Sequence, residues 1–115
     1  ERKQRWTPAN PFLYQMQFRL SEKRNSRTVD VCATTAAIRE IKVDGRRLLL
    51  NGEPLAVRGL LNWAYAPPRL SPTLDEKWME SELREAKQRG FNLMKICLWI
   101  PPKRYLELAD EMGML

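Results

Sequence analysis

Residues 90–115, GFNLMKICLWIPPKRYLELADEMGML, restrict the fold of this chain more than any other stretch. Phe91 to Ile100 is an apolar run interrupted only by Asn92 and Lys95, the pattern of a strand covered on both faces. Pro101-Pro102 then opens a helix, where a fixed φ and a missing N–H do no harm. Tyr105, Leu108, Ala109 and Met112 recur at helical spacing, Gly113 supplies a left-handed stop, and Met114-Leu115 read as the start of another strand. The expectation is a βαβ unit begun and not closed, a piece cut from a larger α/β protein.

The same grammar runs upstream. Leu55 to Leu61 is a nearly continuous apolar run and reads as a core strand, followed by a proline-rich loop from Asn62 to Pro72. Thr73 with Glu76 three residues on forms a capping box for a first helix. Met79, Leu83 and Ala86 mark its apolar face, with Trp78 beside it, and Gly90 ends it. Strands alternating with helices of this length imply a parallel sheet with right-handed crossovers.

The first third of the chain is of another kind. Phe12, Tyr14, Met16, Phe18 and Leu20 alternate with Leu13, Gln15, Gln17 and Arg19, the mark of a half-buried antiparallel strand. SEKRNSR at 21–27 is turn material, and 28–36 form a second β-prone run. A lone hairpin is marginal in water, so the pair needs a sheet from elsewhere, most simply a β-sandwich. Asp44-Gly45 and Asn51-Gly52 then signal two tight hairpin turns. The change of pattern places a junction near residues 37–40 and divides the chain into 1–37 and 38–115.

Composition excludes several chemistries. The 115 residues include no histidine, which removes Ser-His-Asp and Cys-His nucleophiles and imidazole metal sites from this stretch. Cys32 and Cys97 are too far apart for a CxxC motif and read as small buried hydrophobes. The net charge is +6, yet residues 1–50 hold 11 Lys/Arg against 5 Asp/Glu while 51–115 hold 9 against 9. That excess lies in ERKQR at the start, in Lys23-Arg24 with Arg27, and in Arg46-Arg47, the last two where turns are expected. A phosphate backbone needs a continuous basic face with stacking aromatics, so no nucleic-acid partner is expected. No run approaches the roughly 20 apolar residues of a bilayer crossing, so no membrane partner is expected either. The opening ERKQRW contains no apolar leader core.

Three segments carry a resemblance. Trp6-Thr-Pro-Ala-Asn-Pro-Phe-Leu-Tyr14, Ile38 to Gly59 (IREIKVDGRRLLLNGEPLAVRG) and Gly90 to Leu115 are similar, in this order, to parts of glycoside hydrolase family 2, whose members include β-galactosidases, β-glucuronidases and β-mannosidases. The resemblance implies an α/β fold with a β segment. Residues 1–37 would be the C-terminal edge of an immunoglobulin-like β-sandwich, and 38–115 the first two βα units of an incomplete (β/α)8 barrel. Ligands in such barrels sit at the C-terminal ends of the strands, here Leu61-Asn62-Trp63 and Leu98-Trp99-Ile100. Trp63 and Trp99 would then stack on a sugar, Asn62 would bond a hydroxyl, and Lys95 would donate from within the second strand. Tyr65 and Arg69 belong to a loop able to line the cleft, and Arg58 reads as half of an interior ion pair.

The chain departs from many members, which carry an arginine at the position of Lys95, a histidine-tyrosine pair at Leu98-Trp99 and a histidine near Trp63 or Ala64. The departures point away from the best-known galactosidase and glucuronidase specificities, and Asn62-Trp63 resembles the mannosidase-like branch. The resemblance implies two catalytic glutamates of a retaining mechanism, at the ends of the fourth and seventh strands, both outside this chain. Asp75, Glu76, Glu80, Glu82, Glu85, Glu107, Asp110 and Glu111 read as solvated helix faces, so no catalytic residue and no cofactor or metal is assigned here. The implied partner is a carbohydrate, and the separate chain is expected to self-associate through uncovered apolar faces. A non-catalytic carbohydrate-binding relative and a basic interaction module are the alternatives.

Overall fold

The elements among the described residues follow the local signals closely, with shifts that have identifiable causes. The computed structural model describes residues 3–67 and 70–115. β1 (Tyr14–Ser21) and β2 (Thr28–Ala36) form an antiparallel hairpin with Phe18 opposite Cys32 and Arg19 opposite Val31. The alternation predicted a half-buried strand, but both faces are open, with Phe18 55% and Val31 46% exposed. Cys32 is therefore exposed, and Cys97 is only partly covered, so neither is the buried hydrophobe the sequence suggested.

β3 (Ile41–Asp44), β4 (Arg47–Leu50) and β5 (Glu53–Pro54) make a small antiparallel meander. Its second turn has Asn51 at φ 57° and Gly52 at φ 90°, the two left-handed positions a type I′ turn demands. The first turn lies one residue beyond Asp44-Gly45, because Asp44 pairs with Arg47 and leaves Gly45-Arg46 as the loop.

β6 (Gly59–Asn62) pairs in parallel with β7 (Leu93–Ile96), and α1 (Glu76–Gln88) crosses between them. Both strands are shorter than the apolar runs that announce them. At the entry, the Asn92 amide accepts from Arg58 N at 2.8 Å and donates to Ala56 O at 2.9 Å, side-chain bonds that stand beside the backbone bond from Asn92 N to Arg58 O. At the exit, Leu98 adopts φ 60° and ends the second strand. The cap of α1 is Asp75 rather than Thr73. Its carboxylate accepts from the N–H of Lys77 and Trp78, while Thr73 Oγ1 accepts from Asp75 N at 3.1 Å. An ionised acceptor beside the positive helix end outcompetes a hydroxyl there.

α2 (Lys103–Met112) ends at Gly113 with φ 73°, where a Cβ would stand 2.4 Å from Pro8 O. Beyond it the backbone returns to the sheet. Leu115 N donates to Asn92 O at 2.9 Å and Met94 N donates to Leu115 O at 2.7 Å, a parallel bridge on the β7 edge away from β6. The strand expected at Met114-Leu115 thus begins.

One core joins these pieces. Met79, Leu83, Ala86, Tyr105, Leu108 and Met114 are buried, with Leu60, Phe91, Met94, Ile96 and Trp99 against them. The N-terminal segment is fastened to this unit by Trp6, whose side chain is fully buried and whose Nε1 donates to Asp110 O at 2.8 Å. Arg39 lies over the Trp6 ring at 4.6 Å and pairs with Asp110 at 3.0 Å. Lys87 donates to the carbonyls of Pro8, Met112 and Gly113, closing the C-terminal end of α2, and partial burial pulls its ammonium below the usual lysine value. The radius of gyration is 17.8 Å, against about 13 Å for a compact chain of this length. The hairpin stands out from the packed unit.

Candidate functional site

The parallel pair has two unlike faces. Leu60, Met94 and Ile96 pack toward the helices. Strand alternation puts Leu61 and Lys95 on the opposite face, where they are register partners, and both are exposed. Lys95 is therefore presented on the open side of the sheet.

Asn62 ends β6 on the helix side and is 6% exposed. Its Nδ2 donates to Glu82 Oε2 and to the Tyr105 hydroxyl, each at 2.9 Å, and Tyr105 donates to the same carboxylate oxygen at 2.9 Å. Its Oδ1 accepts from Ala64 N at 2.7 Å. Its backbone oxygen accepts from Cys97 N at 2.9 Å and from Trp99 Nε1 at 3.1 Å. One residue thus ties together two helices and both strand-end loops.

The aromatics differ in role. Trp63 is 40% exposed and stacks on Tyr65 with centroids 6.4 Å apart and planes 14° from parallel. Trp99 is half-buried and sits edge-on to Tyr105 at 5.5 Å. Ala64 at φ 59° and Leu98 at φ 60° follow the two strand ends, and a left-handed conformation costs a non-glycine residue about 1–2 kcal/mol. Strain of this kind persists only where surrounding bonds enforce it, and the Asn62 contacts are those bonds. Burial, and then the neighbouring Glu82 carboxylate, push the Tyr105 phenol well above its ordinary value, so it stays protonated and donates. A cleft of about 400 Å³ opens beside the β6 end, with Asn62, Trp63, Tyr65, Glu82 and Arg89 in its wall.

The four sequence candidates therefore converge on one end of the parallel pair. Trp63 and Lys95 are open, whereas Asn62 and Trp99 have their polar atoms engaged within the protein. Among the described residues Arg58 has no carboxylate partner. It is exposed, and its guanidinium donates to Gly90 O at the end of α1. Arg69 lies outside the described residues.

Glu82 is the residue the sequence reading misplaced. Its residue type predicts a solvated carboxylate, yet it binds two buried partners, Asn62 and Tyr105. The signal was present in the spacing, because residues 79, 82, 83 and 86 together form the helical stripe that faces a core. Apart from Asp75, which caps α1, the other helix carboxylates pair with basic neighbours, as in Glu85–Arg89 at 2.7 Å and Glu76–Arg104 at 2.7 Å. Among the described residues there is no group of three or more His, Cys, Asp or Glu able to hold a metal, and no helix is long and apolar enough to cross a membrane.

No family model matches the chain. Known proteins do. A β-galactosidase of Pseudoalteromonas haloplanktis is 27% identical over 110 residues, which are 96% of this chain and 10% of that protein. The crystal structure of Bacteroides uniformis β-glucuronidase superimposes with a TM-score of 0.84 at 27% identity, over 97% of this chain and 13% of the other. The family 2 β-galacturonidase of Eisenbergiella tayi, solved with galacturonate, gives a TM-score of 0.85 at 27% identity, over 97% and 20%. The resemblance to glycoside hydrolase family 2 holds. It runs through nearly the whole chain, sheets and helices alike, while the chain spans about a tenth of the length of the curated β-galactosidases it matches.

Proposed function

We propose that this chain is the seam of a retaining glycoside hydrolase. Residues 1–37 are the terminal strands of an immunoglobulin-like sandwich, and 38–115 open a (β/α)8 barrel. The parent cleaves O-glycosidic bonds with two carboxylates about 5–5.5 Å apart, both outside this chain. One observation carries the reading: β6 and β7 pair in parallel across α1, and Leu115 bonds to the free edge of β7 in the same sense. A sheet that keeps adding parallel strands on one side closes most simply as a barrel.

The sugar lies over the strand ends. Trp63 offers an indole face to the C–H face of a pyranose, and Lys95 offers an ammonium to a hydroxyl or carboxylate from the open side of the sheet. Trp99 and Asn62 complete the site from beneath, by holding the loops on which contact depends. Leu61, Leu98 and Ile100, at 50%, 86% and 94% exposure, form an apolar surface through which the separate chain self-associates.

The test is expression of a longer open reading frame containing these residues beside the 115-residue chain. The longer protein is expected to hydrolyse nitrophenyl β-galactoside, β-glucuronide or β-mannoside with retention of anomeric configuration by NMR. The short chain is expected to release no nitrophenol and to sediment as oligomers. A longer protein inert toward all three glycosides, or one that inverts, overturns the reading.

A further inference from the structure

We propose that Glu82 is a positioning residue, which reaches from the outer helix to the end of β6 and clamps Asn62 so that the Trp63–Tyr65 pair is presented as one rigid platform. The inference rests on the sugar-contact reading of Trp63 and extends it to a residue that touches no sugar. Asn62 Nδ2 is buried, and both of its protons are taken, one by Glu82 Oε2 and one by the Tyr105 hydroxyl. Tyr105 in turn donates to Glu82, so the carboxylate oxygen closes a three-membered ring of hydrogen bonds. An amide fixed at one end has a fixed oxygen at the other, and that oxygen accepts from Ala64 N.

Ala64 separates Trp63 from Tyr65 in the chain and is left-handed, a conformation that costs alanine about 1–2 kcal/mol. Release of the Asn62 amide therefore releases the turn, and with it the relative placement of Trp63 and Tyr65. The same residue accepts the Trp99 indole proton on its backbone oxygen, so the second loop feels the clamp as well. A helix carboxylate without such a role would face solvent, as Glu80 and Glu85 do beside Arg84 and Arg89.

Two readouts separate this role from simple structural support. Tryptophan indole N–H signals of the ¹⁵N-labelled chain, held at a dilution where sedimentation shows it monomeric and cooperatively folded, report the loops without any sugar. In Glu82→Ala, the Trp63 and Trp99 signals are expected to shift or broaden while that of Trp6, bonded to Asp110 O, stays in place. Glu82→Gln retains an oxygen that accepts both donors and is expected to restore the parental spectrum. Equal disturbance of all indoles, or of none, overturns the proposal. In the longer protein, Glu82→Ala is expected to raise KM for a nitrophenyl β-glycoside about tenfold, the effect of one lost buried hydrogen bond, with kcat little changed. A lowered kcat at unchanged KM overturns it. A parental enzyme silent toward every glycoside refutes the glycosidase reading instead, and the sugar-free spectrum still shows whether the clamp exists.

Discussion

The β1–β2 hairpin and the β6–α1–β7–α2 unit are equally regular in sequence and opposite in environment. Both obey their periodicities. In the second unit the apolar stripes of two helices meet Leu60, Met94 and Ile96 of the sheet, so Leu83, Tyr105 and Met114 lose nearly all contact with solvent. In the first, Met16, Phe18 and Leu20 line up along one face and remain 38–62% exposed. Periodicity reports which face an element offers, whereas stability comes from what covers it. The hairpin keeps its backbone bonds and lacks the burial that would give it a stability of its own.

What ties the two regions together is concentrated at Trp6, and removing it is the strongest way to break the comparison. Trp6→Ala is expected to cost about 3–5 kcal/mol, from a fully buried indole, its bond to Asp110 and the Arg39 stack. Urea denaturation followed by circular dichroism reads the loss. A change below about 1 kcal/mol would mean that the N-terminal segment is not anchored there.

A smaller effect sharpens the account of the packed unit. Tyr105 has its phenol raised by burial and by Glu82, so its contribution is complete below the unfolded tyrosine value of about 10 and declines as pH climbs from there toward the raised folded value. Tyr105→Phe is expected to lose about 1–2 kcal/mol at pH 8, from the hydrogen bonds to Asn62 and Glu82. It is also expected to weaken the fall in stability between pH 9.5 and 11, measured by urea titration at each pH. An unaltered alkaline slope would show that Tyr105 does not stay protonated in the fold.

Much of this was legible in the residues. The order of elements, the Asn51-Gly52 turn, the Gly90 and Gly113 stops and the apolar helix faces all follow from local chemistry. Local rules also fixed the resemblance, since three motifs in one order left little freedom. The misses share a cause, which is competition between side chains and backbone. Asp75 displaces Thr73 as cap because its charge suits the helix end. Asn92 shortens two strands by satisfying their entry with its amide. Glu82 and Arg58 were read by residue type, but Glu82 turns inward to an amide and a phenol while Arg58 remains outside on a carbonyl. Asn62 stands at the end of β6, a position visible in the sequence, whereas the direction of its side chain toward Glu82 and Tyr105 is not.

Amide hydrogen exchange at low protein concentration tests the contrast directly. Amides of Leu83, Leu108 and Met94 are expected to exchange at least about a hundredfold more slowly than those of Phe18, Val31 and Ala33, because opening the first set requires the core to come apart. Comparable protection in both sets would show that the hairpin is as firmly held as the βαβα unit, and the distinction drawn between them would fail.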